Sequence, residues 1–152
     1  MNESEARVYI KRYTMLLRGE GLSSTAIYCA VLEEFEGTPY QLGTDTVLRS
    51  DCSGSVSTAM SAALGMSIRV SADVLYKNWF TRTEAAPGID EKRIYAAFFL
   101  DETGKAIHTC GWCGDCFINV SEKEKNGGAR RSVQELSRMY AHLKMRIRSM
   151  QP

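Results

Sequence analysis

The order of the predicted elements along this 152-residue chain indicates an α+β domain in which N-terminal helices pack on an antiparallel sheet. Apolar residues recur at helical spacing in the first half of the chain, and strand patterns follow in the second half. The run from Ile94 to Leu100 is continuously apolar, and Asp101 to Gly104 supplies a turn before a returning strand at Lys105 to Thr109. Phe117 to Val120 is predicted to add one more strand. At this length we expect a single domain covering residues 1–152.

Two helices are predicted within residues 1–36. Asn2 and Glu5 have the spacing of a capping box at the start of the first helix, and Ser23 or Ser24 can cap the second.

One long helix is predicted at the other end of the chain, over residues 129–150. Its apolar residues recur at alternating steps of three and four, at Val133, Leu136, Tyr140, Leu143, Ile147 and Met150. This seam is expected to pack on the parent domain against the first helix, or alternatively on a partner helix or a second copy. His142 lies in the same segment and is not expected to be catalytic.

Cys52 is predicted to lie in the first turn of a further helix, whose apolar stripe is Val56, Met60, Ala63 and Leu64. Unpaired backbone N–H groups and the helix dipole favour an anion at such a position. A thiol there is biased toward thiolate, which is the form that attacks carbonyl groups. A buried and inert cysteine is the alternative interpretation.

Two motifs surround this cysteine, Gly37-Thr-Pro-Tyr-Gln-Leu-Gly43 and Asp51-Cys-Ser-Gly54. Their residues and spacing resemble those of the NlpC-type cell-wall cysteine peptidases, which are compact relatives of papain. The resemblance covers roughly Ala26 to Cys110. It implies a papain-like NlpC-type fold and a peptidase or amidase that cuts bacterial peptidoglycan stem peptides, typically after a D-glutamyl residue, with no cofactor.

The resemblance also implies roles for individual residues. Cys52 would be the nucleophile, and Tyr40 would line the substrate groove and help to bind the oxyanion. Asp51, Ser53 and Tyr95 are the further candidates for contacts to the substrate or the oxyanion.

The base is harder to place, because this chain has only two histidines. The resembled family has its catalytic histidine at the start of the first hairpin strand and an orienting polar residue near the end of the returning strand. Counted on the predicted hairpin, His108 falls at the orienting position and Tyr95 at the catalytic one. A phenol is a poor base at neutral pH, so His108 is expected to be either the base or its orienting residue. A binding module of the same fold that has lost catalysis is the alternative that Tyr95 favours.

A second cluster joins His108 to three thiols, at Cys110, Cys113 and Cys116. Three thiols and an imidazole can bind zinc, but all four residues fall within nine positions, which is more compact than common zinc sites. A thioredoxin-type redox motif is a second alternative, although such motifs precede a helix and a strand is predicted here. The third is a glycine-rich loop with partly buried thiols, and we expect no metal.

Overall composition excludes some classes of partner. Nineteen basic and eighteen acidic side chains give a net charge of +1, which favours neither nucleic acid nor a membrane surface.

The first fifteen residues are rich in charge, and no run approaches eighteen apolar residues, so neither a signal peptide nor a membrane span is expected. Five cysteines, three of them clustered, are untypical of a secreted disulfide framework. We therefore expect synthesis in the cytoplasm, with delivery to a cell wall by lysis, a phage particle or a secretion machine.

Overall fold

The computed structural model of the chain describes residues 1–88 and 90–152 and has an α+β architecture. Its elements, in chain order, are α1 (Glu3–Gly19), α2 (Ser24–Glu33), β1 (Asp45–Thr46), β2 (Arg49–Ser50), α3 (Cys52–Leu64), α4 (Ala72–Val74) with a π-helical turn (Leu75–Trp79), β3 (Arg82–Glu84), β4 (Ile94–Leu100), β5 (Ala106–Trp112), β6 (Phe117–Asn119), β7 (Ala129–Arg131), α5 (Val133–Met139) and β8 (Lys144–Met150).

Six strands form one antiparallel sheet in the order β3-β8-β4-β5-β6-β7. The short strands β1 and β2 pair separately, and a parallel bridge joins Tyr40 to Ser50 beside them. This bridge holds the loop that carries Tyr40 next to the chain that enters α3.

Local capping signals set the helix starts. The capping box of Asn2 and Glu5 is present at α1, and the Ser23 hydroxyl caps α2. α3 ends at Gly65, whose φ of 68° is the left-handed conformation that favours glycine at a helix end. Within the described residues, no helix is both long and apolar enough to cross a membrane.

Two hydrophobic cores lie on opposite faces of the sheet. The larger core packs α1, α2 and α3 on one face, where fully buried side chains include Phe35, Met60 and Phe98. The smaller core lies beneath α5 on the other face and includes Phe99 and Leu136. The prediction of N-terminal helices packed on an antiparallel sheet is therefore confirmed.

The single helix predicted over residues 129–150 is wrong. This segment forms β7, the seven-residue helix α5 and β8. A capping box of Ser132 and Glu135 starts α5, and the helix ends at Tyr140. His142 lies exposed in the turn that follows.

The apolar residues of β8 fit both the spacing of a helix and the alternation of a strand, which explains the wrong prediction. Met145 and Ile147 alternate on the face of the smaller core, while the Arg148 guanidinium stacks on the Tyr76 ring on the other face. Hydrogen bonding to β3 on one side and β4 on the other makes this segment a strand in the interior of the sheet. The predicted seam for a partner helix or a second copy does not exist, because its residues are divided between α5 and the sheet.

Candidate active site

Asp51 fixes the start of α3. Its Oδ1 accepts a hydrogen bond from the Gly54 N–H at 2.7 Å, which makes it the N-cap, and its Oδ2 accepts from the Gly43 N–H at 2.8 Å. The Arg69 guanidinium donates to both carboxylate oxygens, at 2.9 and 2.8 Å. The carboxylate is buried, and both of its oxygens are already occupied, so it ties the Tyr40 loop to the helix start.

The two residues after Cys52 are also fixed by close contacts at the start of α3. The Ser53 hydroxyl donates to Asp51 Oδ1 at 3.3 Å and accepts from Arg69 at 3.1 Å. A Cβ added at Gly54 would collide with the Thr44 carbonyl oxygen, so only glycine fits where the preceding loop crosses the helix. The Asp-Cys-Ser-Gly motif therefore packs the start of α3 against that loop.

Cys52 is the first residue of α3, as predicted, and its thiol is free. Burial raises the pKa of the Cys52 thiol. Backbone N–H groups of Thr109, Ser53 and Cys52 itself point toward the sulfur and act in the opposite direction, but burial outweighs them. The thiolate expected from the helix dipole alone is therefore not the resting form, and the neutral thiol is favoured.

The strand that carries the histidine meets α3 at this point. Thr109 directly follows His108 on β5, and its backbone N–H is directed at the Cys52 sulfur. Burial and then the charge of Cys52 raise the pKa of Tyr40. The backbone bridge from Tyr40 to Ser50 holds this tyrosine beside the chain that enters α3. The structure thus brings α3, which begins at Cys52, against β5, which carries His108, and holds the Tyr40 loop at the start of α3.

The His108 ring is hydrogen-bonded to a residue on the next strand. His108 Nε2 lies 2.7 Å from Asn119 Oδ1 on β6, and both side chains are buried. The Asn119 amide nitrogen donates to Glu124 Oε2 at 2.9 Å and to the Tyr140 hydroxyl at 3.3 Å. Because these acceptors fix which way the amide points, Asn119 presents its oxygen to the ring, and Nε2 must carry the proton. Nδ1 is left with a lone pair that can accept a proton.

Electrostatics keep this ring neutral. His108 stacks on Tyr140, with ring centroids 4.6 Å apart, and also contacts Phe99. Burial lowers the pKa of His108 to about 4, although the hydrogen bond that the ring donates to Asn119 and the charge of Glu124 act in the opposite direction. At neutral pH the imidazole is therefore an uncharged base.

Tyr95 lies elsewhere on the sheet. Thr109 pairs with Phe98 of β4, and Tyr95 is three residues earlier on that strand, about 10 Å away along it. The Tyr95 hydroxyl faces Gly88, and burial and then the charge of Glu84 raise its pKa. The position that was expected to hold the catalytic histidine is therefore not the one beside Cys52.

Sequence reasoning missed Asn119 because it considered the wrong hairpin. It compared the β4–β5 hairpin with the family pattern, whereas the histidine and its polar partner occupy β5 and β6. One signal was present: Asn119 is the single polar residue in the apolar run Phe117-Ile-Asn-Val120, and it is fully buried.

The cluster of His108 and three cysteines does not converge on one point. His108 and Cys110 lie on the side of the smaller core, whereas Cys113 and Cys116 pack with the larger core. A smaller group remains, in which the ligand atoms of Cys113, Asp115 and Cys116 lie within 4.8 Å of one another. These are the residues that could hold a metal ion, and Arg130 already lies against them.

Two solved structures have a similar fold. NlpC1 from Trichomonas vaginalis matches 83% of this chain and 43% of its own length, with a TM-score of 0.63 and 18% identity. The NlpC/p60 domain of the peptidoglycan hydrolase SagA matches 81% of this chain and 97% of its own length, with a TM-score of 0.58 and 18% identity. No protein-family model and no curated protein matches the sequence. At this identity the similarity shows a shared fold, which is the papain-like fold of NlpC/p60 domains.

Proposed function

We propose that this chain is a cysteine peptidase or amidase that hydrolyses peptide bonds in bacterial peptidoglycan stem peptides. The observation that carries the proposal is the packing of α3, which begins at Cys52, on β5, which carries His108 with its hydrogen bond to Asn119. The substrate class rests on the motifs around Tyr40 and Cys52 and on the fold shared with a domain of the peptidoglycan hydrolase SagA.

In the proposed mechanism, Cys52 and His108 begin as a neutral pair. Nδ1 of His108 takes the thiol proton as the sulfur attacks the substrate carbonyl, so the charge is created only during the reaction. The protonated ring then gives this proton to the leaving amine. Water hydrolyses the resulting thioester, with His108 again acting as the base.

Asn119 acts as a positioning residue in this scheme. Its oxygen holds Nε2–H, which turns Nδ1 into the available acceptor and stabilises the imidazolium as it forms. Glu124 and Tyr140 hold the amide in this orientation. Such a chain from nucleophile to base to orienting group is the general logic of catalytic triads.

The oxyanion is assigned to two donors, the backbone N–H of Cys52 and the hydroxyl of Tyr40. Burial raises the pKa of Tyr40, so its hydroxyl keeps its proton and can donate a hydrogen bond. Asp51 and Ser53 are assigned to holding the start of α3, since their polar atoms already have partners.

The test is turnover of a synthetic stem peptide that contains a D-glutamyl bond. We expect Cys52→Ala to abolish cleavage and His108→Ala to lower kcat by about two to four orders of magnitude, the usual contribution of a general base. Asn119→Ala should lower kcat more than it changes KM. His142→Ala is the matched control, because the second histidine lies exposed in a turn, and it should cleave normally.

The same experiment separates an enzyme from a binding module. A wild-type protein that retains the peptide without cutting it would show that the groove has kept binding and lost catalysis. Cleavage that survives His108→Ala at full rate would contradict the assignment of the base.

A further inference from the structure

The turn between β5 and β6 brings two thiols together. Cys113 and Cys116 flank the two-residue connection Gly114-Asp115, and the Cys113 N–H donates to the Cys116 carbonyl oxygen at 2.8 Å. The two sulfurs are 3.4 Å apart, so a small rotation about the Cα–Cβ bonds brings them to bonding distance.

An arginine from the neighbouring strand lies against both sulfurs. Arg130 Nη1 is 3.5 Å from the Cys116 sulfur, 3.9 Å from the Cys113 sulfur and 3.5 Å from Asp115 Oδ1. The guanidinium lowers the pKa of Cys116 in part, but burial and the neighbouring Cys113 outweigh it and raise that pKa to about 12. Cys116 therefore reacts through the small thiolate fraction, which is the reactive form in thiol–disulfide exchange. The same positive charge opposes a metal cation among Cys113, Asp115 and Cys116, so the surroundings fit thiol chemistry better than metal binding.

The two thiols differ in access. Cys116 is half-buried, whereas Cys113 is buried beneath the turn. Cys116 is therefore the thiol that reacts with a soluble oxidant. The buried Cys113 lies beside it and can then attack the Cys116 sulfur. Cys110 is fully buried in the smaller core on the other side of the sheet, out of reach of this pair.

We propose that Cys113 and Cys116 are a dithiol–disulfide pair that is oxidised by low-molecular-weight disulfides. The Cys116 thiolate attacks a disulfide such as oxidised glutathione, which forms a mixed disulfide and releases one glutathione thiol. The Cys113 thiolate then attacks the Cys116 sulfur, which closes the internal bond and releases the second glutathione thiol. The dithiol gives up two electrons and two protons, and one glutathione disulfide becomes two glutathione molecules.

This modification site is independent of the proposed peptidase chemistry, but it lies on the same hairpin. His108 is on the strand that leads into the turn, and Asn119 is on the strand that leaves it. Closure of the bond ties together the ends of the two strands that hold the His108–Asn119 hydrogen bond.

The test uses the Cys52→Ala variant, so that the candidate nucleophile cannot react. The protein is incubated folded with oxidised glutathione and quenched with acid. Its thiols are then counted in denaturant, and the peptides are mapped by mass spectrometry. We expect two of the four remaining thiols to disappear, with Cys113 and Cys116 joined and no glutathione retained. Four free thiols, a bond between another pair, or zinc that protects both sulfurs would overturn the proposal.

Single substitutions in the same background test the order of attack. With Cys113→Ser we expect glutathione to stay attached to Cys116, because the resolving thiol is absent. With Cys116→Ser the buried Cys113 should acquire at least tenfold less adduct in the same time. Cys29→Ser is the matched control, since Cys29 is a half-buried thiol outside the turn, and this variant should still form the internal bond. Stable glutathione on Cys116 while Cys113 is present would refute the pairing.

Discussion

At the scale of single residues, the protonation states of Cys52 and His108 define the candidate site. Burial raises the pKa of the thiol and lowers the pKa of the imidazole to about 4, so both effects favour the uncharged forms. Backbone N–H groups lower the pKa of the Cys52 thiol in part, but burial still raises it overall. In the proposed mechanism the ion pair is formed by the reaction, whereas in a thiolate–imidazolium site it exists beforehand.

This difference can be measured by alkylation. Because the pKa of Cys52 is raised, its reaction with iodoacetamide should accelerate by about tenfold per pH unit between pH 6 and 8, as the thiolate fraction grows. Cys29 is the comparison within the same chain, since burial raises its pKa to about 12, and it should react more slowly throughout. The rates follow from mass spectrometry of the two alkylated peptides.

A rate at Cys52 that stays constant over this pH range would contradict the neutral pair. It would show that a thiolate is already present in the resting protein.

At the scale of elements, β8 is the strand on which the sheet depends. It lies between β3 and β4 and places Ile147 in the smaller core, where the side chain is 7% exposed. Ile107 on β5 is a residue of the same type whose side chain is 49% exposed. The two positions form a matched pair for measuring what burial in β8 contributes.

We expect Ile147→Ala to lower the free energy of unfolding by about 2–5 kcal/mol, because it removes buried methyl groups and leaves a cavity. Ile107→Ala should change it by less than about 0.5 kcal/mol, which is usual at a surface. Urea unfolding followed by circular dichroism measures both values. Equal effects would mean that residues 144–150 are not packed as an interior strand.

Local signals predicted the helix starts because they are short-range. Asn2 and Ser23 each satisfy a backbone N–H group three residues on, so a few residues of sequence suffice to identify them. The hairpin of β4 and β5 was predictable for a similar reason, since an apolar run, a turn ending in glycine and a second strand are adjacent in the chain.

The strand β8 was not predictable in this way. Leu143, Ile147 and Met150 fit a helical seam, whereas Met145 and Ile147 fit a strand, and only pairing with residues some fifty positions earlier decides between them.

Only the part of the candidate site that belongs to short contiguous motifs was predictable from the sequence. Cys52 and Tyr40 belong to contiguous motifs, and the bridge between Tyr40 and Ser50 holds the Tyr40 loop beside the chain that enters α3. Asn119 depends on strand register, because two successive hairpins each contain a glycine turn followed by a strand with a buried polar side chain. Only the cross-strand hydrogen bond to His108 shows which hairpin carries the pair.

At the scale of the whole molecule, burial of a neutral histidine makes stability depend on pH. In the unfolded chain His108 has a pKa of about 6.5, whereas in the folded protein burial lowers it to about 4. Between these values the unfolded state binds more protons, so stability falls as the pH falls from about 6.5 toward 4.

We expect this residue to remove about 2 kcal/mol of unfolding free energy between pH 7.5 and pH 5. His108→Gln should lose that share of the pH dependence, whatever its own stability at pH 7.5. His142→Asn is the control and should behave as the wild type does, because this side chain lies exposed in a turn. Urea titrations at the two pH values supply the comparison. The same pH dependence in all three proteins would show that His108 is charged when folded.

The place of β8 in the sheet also has a consequence for how the polypeptide is made. β8 follows every other described strand along the chain, yet its neighbours β3 and β4 are synthesised some fifty residues or more before it. While the ribosome makes the intervening segment, β3 and β4 have no strand between them, and the apolar edge of β4 is open to other chains. The long loop that must close before β4 meets β8 also slows the final step of folding. We therefore expect the nascent protein to need protection from aggregation until residues 144–150 have left the ribosome.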